Sequence, residues 1–259
     1  TPGLERDISQ VIQRLATTYR EEILKRYPKI MRRVGGYNLD EFVNGKPFNL
    51  VKMLVASEGT LATTLEAKIN LVPRPKLTAL MVVHYRTMIE ALESTMEILS
   101  TGPAAVELVD KYIMDLTRAS LEYARQMTFV QGNPGALLLV EYHGTSREEL
   151  VAKLDRLETH LQRQHIGIAF TRAVTPEEQQ KIWKVRKAGL GLLLGMPGDK
   201  KPIAGSEDTA VPPERLAEYI KRFDQIVRSH GTEAAYYAHA SVGCLHIRPL
   251  IDLKQDPEV

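Results

Sequence analysis

This sequence has a single cysteine, Cys244, which excludes an internal disulfide and any multi-cysteine zinc or iron–sulfur site within the chain. A reducing, cytoplasmic setting is the default expectation. Long apolar runs are also missing. The longest, residues 135–140 and 189–196, are far too short to cross a bilayer, so no transmembrane segment is expected. Charge of one sign is missing too. Lys and Arg number 34 against 32 Asp and Glu, leaving +2, and nothing global points to nucleic acid. No charged-then-apolar leader opens the chain, so no secretory signal is expected.

What is present is the composition of an ordinary globular protein, 44% hydrophobic and 25% charged. The 259 residues suffice for one large domain or two modest ones. The ends read as cut. Thr1-Pro2-Gly3 leads straight into a helical pattern, and residues 252–259 trail off after a strand signal, as in a domain excised from a larger protein.

Residues 7–26 place Ile8, Val11, Ile12, Leu15, Tyr19 and Ile23 at helical spacing, and Pro28 and Gly35-Gly36 end that helix. A short helix capped near Asn38 is expected over 37–43, and an alternating strand over 61–72. Pro73-Arg74-Pro75 breaks the chain and marks the expected domain boundary. Beyond it the pattern becomes regular. Strands are expected over 77–85, 105–108, 135–142 and 166–173. Helices are expected over 87–99, 110–118, 120–129, 146–164 and 176–190. Residues 202–211 read as extended, 213–229 as helix, and 234–238 and 244–250 as strands. The fold class that follows is α+β, a mainly antiparallel sheet with helices packed on one face and ferredoxin-like passes.

The densest chemistry lies near the end, in His239-Ala240-Ser241-Val242-Gly243-Cys244-Leu245-His246 followed by Ile247-Arg248-Pro249. Seven positions separate the histidines, and on one straight strand that odd offset puts them on opposite faces. A turn around Val242-Gly243 would bring both imidazoles to one site, where they could hold a metal or act as acid and base. The plainer alternative is two half-buried histidines on neighbouring strands. Arg186, in Trp183-Lys184-Val185-Arg186, reads either as a carboxylate clamp or as a solvated arginine. One carboxylate of Glu207-Asp208 could partner a metal or an arginine, but a polar cluster at a helix entry is slightly favoured. Ser57-Glu58-Gly59-Thr60-Leu61 reads as a turn whose glycine permits close backbone approach. Gly189-Leu190-Gly191 and Gly195 follow a helix, not a strand, so they read as a helix ending and not as a dinucleotide fingerprint. His84, His143, His160, His165 and His230 are scattered and read as structural or solvated.

Taken in order, these fragments resemble one family. Gly36-Tyr37-Asn38-Leu39, Ser57-Glu58-Gly59-Thr60-Leu61, Thr64-Leu65-Glu66-Ala67 and Leu71-Val72-Pro73 resemble the closing part of the FAD-binding domain of FAD-linked 2-hydroxy-acid dehydrogenases. These are the vanillyl-alcohol-oxidase-type flavoproteins that include glycolate oxidase and the D-lactate and D-2-hydroxyglutarate dehydrogenases. Trp183-x-x-Arg186, Glu207-Asp208-x-Ala210-Val211-Pro212 and His239-x6-His246 resemble the substrate-binding cap of the same family. The variant Ala-Ser-Val-Gly-Cys-Leu-His-Ile-Arg-Pro is most similar to long bacterial members fused to a C-terminal iron–sulfur module.

The resemblance implies that residues 1–75 are the C-terminal part of an FAD-binding domain and 76–259 an incomplete cap. It implies that His239 and His246 bind a divalent metal such as zinc, His246 thereby being catalytic, and that Arg186 holds the substrate's α-carboxylate. It implies that Tyr37 and the run Glu58, Gly59, Thr60, Leu61 and Ala62 (the last where glycine is common) lie against the flavin. Hydride would pass from the substrate's α-carbon to flavin N5. The sequence departs from the family in having Ser241-Val242-Gly243-Cys244 where Gly-Asp-Gly-Asn is usual, so support for the metal ligands must come from elsewhere. Arg248 is an added fixed cation and implies a second substrate carboxylate, as in 2-hydroxyglutarate, in preference to lactate. The family's FAD pyrophosphate loop would lie upstream, and its Glu-His-Gly motif, with the third metal ligand and the general base, beyond residue 259. The whole protein is thus expected to be an FAD-dependent enzyme acting on a small D-2-hydroxy acid. It would pass electrons to an acceptor or a fused iron–sulfur module, and be cytoplasmic or held at a membrane through its redox partner. The chain alone is expected not to turn over. The alternative is a non-catalytic α+β binding or assembly module derived from this fold.

Overall fold

A computed structural model describes residues 3–33 and 35–255. The chain divides into two compact units, Thr1–Val72 and Pro73–Val259.

The first unit is small. Helices α1 (Leu4–Thr18) and α2 (Arg20–Arg26) replace the single helix expected over 7–26, because Tyr19 leaves the helical conformation at φ −105°, ψ 19°. Ile12, Ala16 and Ile23 are the buried positions of this pair. Residues Leu39–Phe42 form a 3₁₀ turn. Asn38 does not cap it; its amide donates instead to Val55 O at 3.0 Å, closing a loop that carries the four-residue helix α3 (Val51–Leu54). The strand expected over 61–72 does not form. An alternating pattern supplies faces but not a partner, and no ladder forms along this segment among the described residues, so Leu65 and Leu71 are 94% and 86% exposed.

The second unit is built on an antiparallel sheet. Its first half runs β1 (Leu77–Tyr85), α4 (Met88–Glu93), α5 (Thr95–Leu99), β2 (Ala105–Asp110), α6 (Lys111–Ala119), β3 (Ala136–Gly144), α7 (Arg147–Arg163) and β4 (Ala169–Ala173). These strands stand in the order β4-β1-β3-β2, the split βαβ arrangement, with antiparallel neighbours throughout. Residues 120–129 are not an α-helix; Ala124–Phe129 is a kinked 3₁₀ turn. The second half adds α8 (Pro176–Leu194), β5 (Lys201–Pro202), β6 (Ser206–Ala210), α9 (Leu216–Ser229), β7 (Ala234–His239) and β8 (Cys244–Ile251). Here β7 extends the sheet from β2, and β8 pairs with β7, β6 and β5.

Local signals account for the helix starts. Thr87, Asp110 and Ser146 cap α4, α6 and α7 through their side chains, and Thr175 with Glu178 forms a full capping box on α8. Asp110 does more, because its second oxygen accepts from Tyr236 N at 2.7 Å and ties β2 to β7. Burial pushes its carboxyl up to about 7. Helix α8 also runs past the ending expected at Gly189. That glycine lies against Ile113 of α6, where an added Cβ would stand 3.3 Å from a methyl group, so it allows close helix packing and does not stop the helix.

The α+β class stands, with one refinement: both sheet faces are used. Met81, Leu138, Val140 and Ile247 face the layer of α4, α7 and α9. Leu80, Val82, Leu137 and Leu139 face the other side, with Ile113 of α6 and Ile182 and Val185 of α8. The run of buried residues along β1 and β3 follows from this, since a strand covered on both faces has no polar side to show.

Candidate functional site

The histidine pair reaches one face because β7 and β8 form a hairpin. His239 opposes Cys244 and Tyr237 opposes His246, so these four side chains share a face. Between the strands, Ala240–Val242 makes a 3₁₀ turn and Gly243 closes it at φ 68°. Only glycine fits there, since a Cβ would stand 1.8 Å from Val211 O. The turn thus undoes the opposite-face placement that a straight strand would impose.

Strand β2 pairs with β7 on the other side, and Glu107 stands opposite His239 in the ladder. His239 Nδ1 donates to Glu107 Oε1 at 2.8 Å. Arg186, reaching over from α8, donates to Glu107 Oε2 from Nη2 at 2.7 Å and from Nε at 3.2 Å. Its guanidinium lies over the Tyr237 ring, 5.1 Å from the centroid. The far side repeats the pattern. His246 Nδ1 donates to Glu207 Oε2 at 2.6 Å, and Arg248 Nη2 lies 2.6 Å from Glu207 Oε1. Tyr237 stacks on His246 with 4.5 Å between centroids.

Between the two halves the imidazoles face one another edge to face, Nε2 to Nε2, at 3.4 Å. A neutral imidazole has one donor and one acceptor nitrogen. Each Nδ1 is committed as donor to a carboxylate, so each Nε2 points a lone pair at the same spot, and a proton or a cation there reconciles them. Two nitrogens bound at about 2.0–2.1 Å to one tetrahedral ion stand roughly 3.3–3.4 Å apart. Carboxylates on the outer nitrogens are also the usual support of metal-bound histidines. The residues present therefore fit a divalent cation held by His239 and His246.

The structure accordingly brings together Arg186, His239, His246 and Arg248. Arg248 is buried, with its guanidinium against Glu207 and not open to solvent. Glu207-Asp208 is not a helix-entry cluster: Glu207 bridges His246 to Arg248, and Asp208 Oδ1 lies 3.6 Å from His246 Nδ1 and 3.8 Å from Cys244 Sγ. Asp208, Cys244 and His246 also stand close enough together to form a second group that could ligate an ion. Sequence reasoning missed Glu107. The available signal was one acid inside an apolar strand, Val106-Glu107-Leu108-Val109.

The other named residues lie in the first unit. Tyr37 Oη and Thr60 Oγ1 are 3.0 Å apart, and Thr60 Oγ1 donates to Ser57 O at 2.6 Å. Glu58 and Gly59 are left-handed at φ 51° and 75°, and Glu58, Gly59, Thr60, Leu61 and Ala62 are exposed. The remaining histidines are elsewhere. His84 is buried, with its Nε2 accepting from Gln131 N at 3.0 Å, which leaves Nδ1 to donate to Ala169 O at 3.1 Å. Burial lowers its pKa.

Comparison with known proteins finds that residues 74–259 match the family described as FAD linked oxidases, C-terminal domain. A D-2-hydroxyglutarate dehydrogenase of Pseudomonas putida is 30% identical over 99% of this chain, which spans 26% of that protein. One of Escherichia coli is 32% identical over 90% of the chain and 24% of that protein. A D-lactate dehydrogenase of Archaeoglobus fulgidus is 28% identical over 84% of the chain and 45% of that protein. The chain thus spans about a quarter of the first of these relatives. Among solved structures, an alkyldihydroxyacetonephosphate synthase shares the fold at a TM-score of 0.52 and 15% identity, over 80% of this chain and 41% of that one. No helix among the described residues is long and apolar enough to cross a membrane.

Proposed function

The chain belongs to the family of C-terminal domains of FAD linked oxidases, and from that premise we propose that it is the substrate-binding cap, with the adjoining end of an FAD-binding domain over residues 1–75, of an enzyme that oxidises a D-2-hydroxy acid. The observation that carries this reading is the convergence of His239 and His246 Nε2 at 3.4 Å, each imidazole held by a carboxylate, beside a fixed arginine. The names of the relatives, D-2-hydroxyglutarate and D-lactate dehydrogenase, support the substrate class.

The chain's own residues supply binding and orientation. Arg186 spends its Nε/Nη2 edge on Glu107, and among the described residues Nη1 has no protein partner. That free edge is the one to receive the α-carboxylate. His239, 41% exposed at its side chain, and His246 hold a divalent cation, which when bound supplies Lewis-acid polarisation of the α-hydroxyl. The turn at Glu58–Ala62, with Tyr37, lies against the flavin, which when bound supplies the hydride acceptor. Arg248 acts through Glu207, holding that carboxylate on His246, and the relatives named D-2-hydroxyglutarate dehydrogenase favour a dicarboxylate substrate such as 2-hydroxyglutarate. Electrons then leave through an acceptor, or a fused iron–sulfur module, outside these residues. The loss of the usual acid and amide between the histidines favours a non-catalytic module, but Glu107 and Glu207 supply the carboxylate support that those departures remove.

The test is turnover of the full-length protein with bound FAD on D-2-hydroxyglutarate and D-lactate. The reading expects oxidation by the parent and its loss in His246→Ala while flavin stays bound. Unchanged turnover in that variant would reject the site.

A further inference from the structure

We infer that Glu107 is a positioning residue that joins the cation-holding and anion-holding halves of this site; the inference rests on the cation reading above. In the sequence it is marked only as one acid inside an apolar strand. Glu107 lies on β2 between β3 and β7, with Leu139 beside it on one strand and His239 on the other. Its side chain is 12% exposed, and the ladder on both sides gives it little freedom. One carboxylate serves two partners. Oε1 takes the His239 Nδ1 proton at 2.8 Å, and Oε2 takes the Nε/Nη2 edge of Arg186 at 3.2 and 2.7 Å.

Three consequences follow. Holding Nδ1 as the donor turns the Nε2 lone pair of His239 toward His246, and this is the tautomer that can ligate through Nε2. Holding one edge of Arg186 turns the remaining edge outward, and the Tyr237 ring lies against the guanidinium at 5.1 Å. Arg186 also balances the charge of the largely buried Glu107 carboxylate. Remove the carboxylate and both halves lose their orientation together.

Glu107→Gln tests this sharply because it keeps the shape. Arg186 has only donors, so the amide must turn its oxygen to Arg186 and its NH₂ to His239 Nδ1. His239 is then driven to the Nε2–H tautomer, which cannot bind a cation through Nε2 at the point shared with His246. The experiment uses the 259-residue chain, its Glu107→Gln variant and its Glu107→Asp variant. Histidine ¹⁵N spectra are recorded without metal, and Zn²⁺ affinity is measured by competition with a chromophoric chelator. We expect the His239 tautomer to invert in Glu107→Gln, with Zn²⁺ bound about 10–100-fold more weakly. We expect Glu107→Asp, which keeps a carboxylate, to retain the parent tautomer and recover part of the affinity. An unchanged His239 tautomer in Glu107→Gln overturns the inference, as does parent-like Zn²⁺ affinity. If the parent chain binds no Zn²⁺, the cation reading fails, while the tautomer result still decides the role of Glu107. If Glu107→Gln does not fold, loss of the Nδ1–H tautomer in a folded Glu107→Asp chain would overturn the inference instead.

Discussion

The arm through Glu107 and the arm through Glu207 carry the same three groups, a histidine, a carboxylate and an arginine, on one face of the sheet. They are anchored differently. Glu107 belongs to an uninterrupted ladder, and it and Arg186 are 12% and 13% exposed at their side chains. Glu207 belongs to a shift in register between Ser206 and Thr209, is 27% exposed, and precedes Asp208 at φ 53°. A ladder fixes a side chain through its neighbours' hydrogen bonds, whereas a bulge re-aims side chains at the expense of local strain. The bulge also leaves a spare. Asp208 stands 3.6 Å from His246 Nδ1, while among the described residues Glu107 is the only carboxylate within reach of His239 Nδ1. One arm is rigid and irreplaceable; the other can be re-supplied.

The largest effect is expected where both arms fail at once. Gly243→Ala puts a Cβ onto Val211 O and strains a left-handed residue. It should destabilise the chain by roughly 3 kcal/mol or more in chemical denaturation and abolish Zn²⁺ binding. A variant as stable as the parent would mean that the turn does not hold the pair together. The next effect separates the arms. Against the 10–100-fold loss for Glu107→Gln, Glu207→Gln should lose less than about 10-fold in Zn²⁺ affinity, because Asp208 takes its place. Glu207→Gln with Asp208→Asn should then match Glu107→Gln. Equal losses in the two single variants would erase the distinction. Smaller again is Arg248→Met, which takes the cation from Glu207 Oε1 but leaves Oε2 its bond from His246. About 1–2 kcal/mol of stability should go, read from thermal or urea unfolding.

The smallest effect concerns a histidine on the same face that belongs to neither arm. His84 uses both ring nitrogens on backbone groups, so it has no lone pair left for an ion. Burial lowers its folded pKa below the ordinary histidine value, so on acidification the unfolded chain gains a proton that the folded chain does not. Its contribution is therefore lost as pH falls below about 6.5. His84→Gln should flatten that part of the stability–pH curve and leave Zn²⁺ affinity unchanged. A shift in Zn²⁺ affinity would join it to the site.

Much of this architecture is legible in the chain. The run Leu80-Met81-Val82-Val83 announces a strand, though not its burial on both faces, and Thr175-Pro176 with Glu178 announces the start of α8. The histidines stand out by residue type and spacing, whereas Arg186 and Arg248 gain their roles only through the family resemblance. What escapes is non-local. Glu107 meets partners 79 and 132 positions away, and only sheet register brings them together. Residues 61–72 fail in the opposite way, since alternation marks a strand but cannot provide the neighbour that completes it. Gly189 looks like a terminator because sequence gives no sign of Ile113 packed against it.

The central claim is that two carboxylate-held histidines aim both lone pairs at one cation. Zinc-edge X-ray absorption on the Zn²⁺-loaded chain, with the bound metal counted, tests it most directly. The account predicts one ion per chain with two imidazole nitrogens at about 2.0–2.1 Å, and loss of that ion in both His239→Ala and His246→Ala. No stoichiometric Zn²⁺, or an unchanged ion in either variant, would contradict it.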